Sequence, residues 1–411
     1  MRLILPKLHE FVGRKDYQLP ILLGLVLLFL LIDIVRFSNN PTSAYFSSLY
    51  YFVGYDTGYG GRKLIGTIFS FILPEYVEMR HIRVVLLGVN LIMLVLFAIF
   101  ICSRNRSGKD VQRLMAVSLL IYLVSPFPIT VWCTSGLSVA FMETYMFVYT
   151  IIWLLLYMRC GRHWYYYLAT VVIASCGILT HITFCCTFFP LFVALFIYDC
   201  FDANGLNWKR IVTYTAVCAG VFGVFLSIWL FGTMNVPIDE LQASICKRAA
   251  PNVCIVDKEV IKWLYYVSNM ENRNMAFAMF PVRYKELVVS MVLLLPLLAF
   301  FFLPWFMAFM RCTNRTTRWR YALVPNVLTL MVIPMFFMAT DYGRWFVAWD
   351  FDIFVLLWLP LVCCDALITD CFRKICARPW LIVAVAAYLS GLHLLNIVGL
   401  HEALTYGSHI F

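Results

Sequence analysis

The stretch LVVSMVLLLPLLAFFFLPWFMAFM, Leu287 to Met310, runs 24 residues without a charged side chain. A helix of that length rises about 36 Å, enough to cross the roughly 30 Å hydrocarbon core of a bilayer. The same character extends over the whole chain: of 411 residues, 63% are apolar and 13% charged, against about 25% charged in a soluble domain. That balance excludes a soluble enzyme, a secreted disulfide scaffold, a disordered chain and a lone membrane anchor. The expected fold class is all-α: a polytopic membrane bundle of about eleven transmembrane helices, forming a single transmembrane domain over residues 1–411.

Apolar runs place the other spans near Leu19 to Val35, Ile82 to Cys102, Leu114 to Trp132, Glu143 to Met158, Tyr165 to Thr180, Ile182 to Tyr198, Ile211 to Phe231, Ala322 to Ala339, Trp345 to Cys363 and Trp380 to Leu400. Tyr165 to Phe201 is too long for one helix and has almost no loop, which predicts two helices meeting in a tight turn at His181. The first span is followed by no small-residue cleavage site and reads as a retained signal anchor. No 20–50-residue repeat is apparent.

The net charge of +10 from 32 Lys+Arg and 22 Asp+Glu is an orientation signal in such a chain, not a nucleic-acid footprint. On this map 19 basic residues fall on the side of the N-terminus and 13 on the other. The prediction is an N-terminus inside and a C-terminus outside. Two outer loops hold nearly all the translocated basic residues: residues 36–81, with an interfacial helix near Leu64 to Leu73, and residues 233–286, capping the bundle. Most of the 15 cysteines lie in apolar runs and behave as small hydrophobes. Cys246 and Cys254 share a polar loop, where a disulfide and two free thiols are equally open readings.

The densest chemical signal is Val53-Gly-Tyr55-Asp56-Thr-Gly-Tyr59-Gly-Gly-Arg62-Lys63-Leu-Ile-Gly66 in the first outer loop. A glycine-rich turn feeding a helix, with Arg62 and Lys63 at its start, suits an anion cradle, and the spacing is not that of a P-loop. The competing reading is a structural turn with Asp56 paired to Arg62. A second signal is Asp341-Tyr-Gly-Arg344-Trp345, followed by Trp349, Asp350 and Asp352. Asp350 would lie about 9 Å deeper than Arg344 on a helix. Intramembrane carboxylates are functional candidates by default, with structural pairing to Arg344 as the alternative. Trp345 and Trp349 read as an aromatic belt or a sugar platform.

Glu143 opens a span from the outer side, either as a site residue or as a favourable charge at a helix N-terminus. His181, above Pro190, is a packing or a functional histidine. Asp33 is neutralised by Arg36, one turn on. His393 with Asn396 is a weak acyltransferase-like pair. No metal site is expected, because the seven histidines lack ligand partners at any metal spacing.

These features resemble the integral-membrane glycan enzymes of bacterial envelopes: the exopolysaccharide and O-antigen polymerases and the GT-C class of glycosyltransferases. The likeness rests on the span number, Asp56 in the first outer loop, the basic outer loops and the His181 helix pair ending in Pro190. It implies a catalytic carboxylate at Asp56 and, as in the polymerases, outer-loop arginines at Arg62 and Arg344. The implied activity is transfer of a sugar from a polyprenyl-(di)phosphate donor to an acceptor glycan on the outer face of a bacterial inner membrane, without a cofactor and without nucleic acid. Asp56, Arg344 and His181 would be catalytic. Arg62, Lys63, Asp341, Tyr55, Tyr59, Trp345, Glu143 and Asp350 would bind substrate or its phosphate. The alternative is a secondary transporter or a flippase of lipid-linked glycans, with Asp350 and Asp352 as coupling groups.

Overall fold

The computed structural model describes residues 24, 27–28, 46–103, 108–130, 132, 142–160, 163–202, 205–251, 253, 258, 261, 270–338 and 342–395. The expected first span, apart from residues 24 and 27–28, lies outside them, as do Asp33, Arg36, Asp341, Cys254 and Asn396.

Within those residues the regular structure is helical apart from one small ladder and an isolated parallel bridge between Val77 and Ala249. Two 3₁₀ turns, Phe46–Tyr51 and Tyr55–Thr57, precede α1 (Leu64–Phe69), α2 (Met79–Cys102), α3 (Lys109–Val124), α4 (Glu143–Cys160) and α5 (Trp164–Thr180). After His181 come a single turn, α6 (Phe184–Thr187), and α7 (Phe189–Cys200), with Pro190 in its first turn, where a missing N–H costs nothing. Strands β1 (Phe201–Asp202) and β2 (Gly205–Leu206) pair antiparallel. Then follow α8 (Trp208–Phe231), α9 (Ile238–Arg248), α10 (Met270–Arg311), α11 (Arg315–Met338), α12 (Tyr342–Val362), α13 (Ala366–Cys376) and α14 (Pro379–Leu395).

Five of these helices are long and apolar enough to cross a membrane: α2, α8, Leu287–Arg311 of α10, Arg315–Phe337 of α11 and Gly343–Val362 of α12. The pair α13 and α14, bent by 82°, makes a sixth if it is one span. Helices α5 and α7 are apolar but shorter. At 12 residues α7 is about 18 Å long, and at 16 residues α3 is about 24 Å, each short of the hydrocarbon thickness as a straight helix.

Contacts between segments distant in the chain group the helix ends into two sets, here called two faces. One face carries the first loop: Arg62 N–H bonds Leu179 C=O at the end of α5, and Thr233 N–H and Asn235 N–H bond the carbonyls of Tyr59 and Thr57. On the opposite face Arg373 pairs with Asp110 and Arg311 with Asp370, tying α13 to α3 and α10. Exposed Trp164, Trp208, Trp319 and Trp380 stand at the opposite-face starts of α5, α8, α11 and α14. Exposed indoles near helix ends are what a bilayer–water interface selects.

The core centres on α12. Its crossing segment is buried throughout, whereas the other four single-helix spans bury 22–39% of theirs. Trp345 and Trp349 are buried with it, so neither faces lipid.

The first loop folds tightly on itself. A Cβ at Gly66 would lie 2.1 Å from Val53 O and 2.7 Å from Tyr50 O, whereas Gly88 on α2 faces open space. Gly66→Ala therefore lowers the thermal midpoint of the detergent-solubilised protein, a loss on the order of 1–3 kcal/mol. Gly88→Ala leaves the midpoint unchanged or slightly higher in the same assay.

Candidate functional site

The first loop is held together by backbone and hydroxyl bonds. Thr67 Oγ1 accepts from Tyr55 N–H at 2.8 Å and donates to Lys63 C=O at 2.9 Å, while Thr57 Oγ1 donates to Gly54 C=O at 2.7 Å. Gly58 has φ +127°, and a Cβ there would meet Thr233 O at 2.4 Å, so the segment 233–235 can lie flat against 57–59 only over glycine.

Arg62 has φ +67°, in the left-handed region that non-glycine residues seldom occupy. Among the described residues only Cys364 shares that trait. Such a conformation costs of order 1–3 kcal/mol and persists where the surroundings over-determine it. Here the bond from Arg62 N–H to Leu179 C=O, 2.9 Å, fixes it. The guanidinium lies over the Tyr50 ring, 5.6 Å from its centroid, and interacts electrostatically with both His181 and Arg344.

His181 caps α5 in an extended conformation and is buried. Thr183 N–H donates to its Nδ1 at 3.3 Å, and the Thr183 hydroxyl is 2.6 Å from the same atom. An Nδ1 that accepts assigns the ring hydrogen to Nε2. Burial, with Arg62 second, holds the imidazole well below its ordinary pKa. His181 therefore presents a neutral N–H donor.

Arg344, in the first turn of α12, forms an ion pair with Glu143, the first residue of α4. The Glu143 side chain is 2% exposed and that of Arg344 14%. Glu143 Oε2 is buried with no hydrogen-bond partner. The arrangement thus places two guanidinium groups, an imidazole N–H and one carboxylate with a spare oxygen within electrostatic range of one another on the first-loop face. Trp345 stacks beneath the Arg344 guanidinium, 5.2 Å from centroid to Cζ.

Other sequence candidates fall nearby but apart. Asp56 is exposed at the loop tip, and its electrostatic neighbour is Lys63. Lys63 is buried, and its ammonium donates to Thr233 C=O at 3.1 Å. Burial lowers its pKa to about 8, opposed by the Asp56 charge. Tyr55 stacks on Tyr59, and the Tyr59 hydroxyl bonds Ser227 Oγ at 2.6 Å. The Tyr55 hydroxyl is buried without a partner.

Asp350 and Asp352 lie deeper on α12. Two residues on a helix are about 200° apart, so the carboxyls leave α12 on nearly opposite sides. Asp350 Oδ2 accepts from Ser125 Oγ at 2.5 Å, and Ser125 C=O lies 2.9 Å from His393 Nδ1. Neither oxygen of Asp352 has a hydrogen-bond partner. Tyr50, Ser125 and Thr183 were not singled out in the sequence, because nothing local marks a tyrosine, serine or threonine as the neighbour of a distant charge. Among the described residues no group of three His, Cys, Asp or Glu side chains could hold a metal ion.

No protein-family model, curated protein or solved structure matches this chain.

The Lys63 contact makes the docking of the first loop pH-dependent. A depressed folded-state pKa contributes stability above the unfolded value of about 10.4 that is lost as pH falls to about 8. Subtracting the Lys63→Met profile of thermal midpoint against pH from that of the wild type is expected to leave a rise between pH 8 and 10.

Proposed function

We propose that the protein is a membrane glycosyltransferase or polysaccharide polymerase, using a polyprenyl-(di)phosphate-linked sugar as donor and a glycan as acceptor. The observation that carries this reading is the meeting of Arg62, Arg344 and His181, three donors suited to phosphate oxygens, at the end of a buried apolar bundle. Guanidinium groups bind phosphate through charge-assisted, often bidentate bonds. Glu143 holds Arg344 in place until the phosphate displaces it.

In this scheme an acceptor hydroxyl oxygen attacks the anomeric carbon, the bond from that carbon to the phosphate oxygen breaks, and the lipid (di)phosphate leaves. Arg62, Arg344 and the His181 Nε2–H stabilise the charge that develops on the leaving oxygen. Asp56 accepts the hydroxyl proton; its exposure at the loop tip keeps it within reach of an acceptor arriving from water. Lys63 fixes the loop that carries Asp56 and Arg62, and Tyr55 and Tyr59 offer a stacked aromatic pair to a sugar face.

The site faces outward in a bacterial inner membrane, with an N-terminus inside and eleven spans. Support for that orientation is the basic residues of the opposite face, among them Lys109, Arg113, Lys209, Arg210, Arg311 and Arg373.

Two substitutions separate the roles. Arg344→Ala is expected to weaken donor binding roughly 10- to 100-fold, the worth of one hydrogen bond between charged groups. Asp56→Asn is expected to leave donor binding intact and slow turnover by about 10²–10⁴-fold, the usual contribution of a general base. Glycan formation by purified protein from a synthetic polyprenyl-diphosphate sugar reads both, and normal turnover in both variants overturns the proposal.

Asp352, buried in the central helix with two unpartnered oxygens, favours a second reading as a transporter or flippase. Proteoliposomes that move a lipid-linked sugar between leaflets without forming a glycosidic bond would select it.

A further inference from the structure

Between α10 and α11 a groove of about 360 Å³ opens, lined by Phe302, Phe306 and Phe309 on one side and Ala322, Asn326 and Thr329 on the other. Three polar residues line it, each engaged within the protein: Asn326 Nδ2 donates to Ala322 C=O at 2.7 Å, Thr329 Oγ1 to Pro325 C=O at 3.0 Å, and the Tyr321 hydroxyl accepts from Arg320 at 2.9 Å. The surface facing the groove is mostly aromatic ring and aliphatic carbon.

At the opposite-face end of the groove stands Arg318. Its guanidinium lies over the ring of Phe309, itself a wall of the groove, at 4.2 Å. Its Nη2 touches Met310 sulfur at 4.0 Å, its Nε–H is buried with no partner, and among the described residues no carboxylate pairs with it. The nearby arginines are engaged differently: Arg320 with Asp365 and Arg311 with Asp370. Trp319, exposed and packed 6.0 Å from Phe309, marks the interface level.

The distances match one kind of molecule. From Arg318 to Thr329 is 11 residues of α11, about 16 Å along the axis, close to half of the roughly 30 Å hydrocarbon core. A cation at interface depth, with an apolar slot one leaflet deep beneath it, complements a phosphate joined to a fatty chain.

We propose that this groove binds one acyl chain of a glycerophospholipid from the opposite-face leaflet, with Arg318 contacting the lipid phosphate. The site is separate from the Arg344 cluster, which lies at the other face, and does not depend on the glycosyl-transfer reading.

The test uses the full chain in nanodiscs doped with a phosphatidylglycerol carrying a diazirine midway along one acyl chain. After illumination, mass spectrometry is expected to find labelling concentrated on the groove residues Phe302 to Phe309 and Ala322 to Thr329. Arg318→Gln should reduce that labelling about tenfold, the equilibrium worth of one charge-assisted bond to phosphate. Ala322→Trp, which fills the slot, should abolish it. Labelling of Leu87 and Leu91 on the exposed side of α2 reports ordinary lipid contact and whether each variant is folded. Groove labelling no stronger than on α2, or unchanged by either variant, overturns the proposal.

Discussion

The ion pair between Arg344 and Glu143 joins the start of the central helix α12 to the start of α4, and both partners are largely removed from water. Removing one partner of a buried pair strands the other charge, typically at about 3–5 kcal/mol. The pair therefore sets where α12 begins relative to α4 and holds a cation at the first-loop face. Tyr50 and Arg62 from the first loop are electrostatic neighbours of Arg344, Trp345 lies beneath its guanidinium, and His181, from the break after α5, is a neighbour of Arg62. A protein needing only a seal there could have used apolar residues. Arg62 repels Arg344, and the one carboxylate paired there, Glu143, neutralises a single guanidinium.

The opposite face is built on other terms. Asp365 caps α13 by accepting from Leu367 and Ile368 N–H, accepts from the Tyr198 hydroxyl at 2.8 Å, and pairs with Arg320. Asp199 accepts from the hydroxyls of Tyr157 and Tyr214. Those carboxylates are surrounded by donors and read as structural anchors. On the first-loop face Glu143 keeps an unpartnered oxygen and Asp56 stands exposed. The contrast in polar satisfaction, more than any motif, separates the candidate site from the scaffold.

Much of the architecture was legible from hydrophobicity. The uncharged run at Leu287–Met310, the helix break at His181 with Pro190 opening the next helix, and the short helix after Arg62 all follow from local rules, and the helices carry them. The helix after Arg62 ends at Phe69, earlier than expected, and passes into tighter turns in which Phe71 and Ile72 N–H bond three residues back, to Ile68 and Phe69 C=O. Asp350 was placed below Arg344 by counting residues. What local rules could not supply is partnership across the chain. Glu143 and Arg344 are 201 residues apart, and Ser125 meets Asp350 across 225. Such contacts depend on which helices pack together, and eleven apolar runs of similar character carry little information about that.

The central claim is that Arg62 and Arg344 hold the phosphate of a lipid-linked substrate. A cryo-electron microscopy structure of the protein in nanodiscs with a polyprenyl diphosphate tests it most directly. The account predicts phosphate density between the two guanidinium groups, within reach of His181 Nε2, with Glu143 drawn away from Arg344. An intact Arg344–Glu143 pair, with the diphosphate bound elsewhere or not at all, would contradict it.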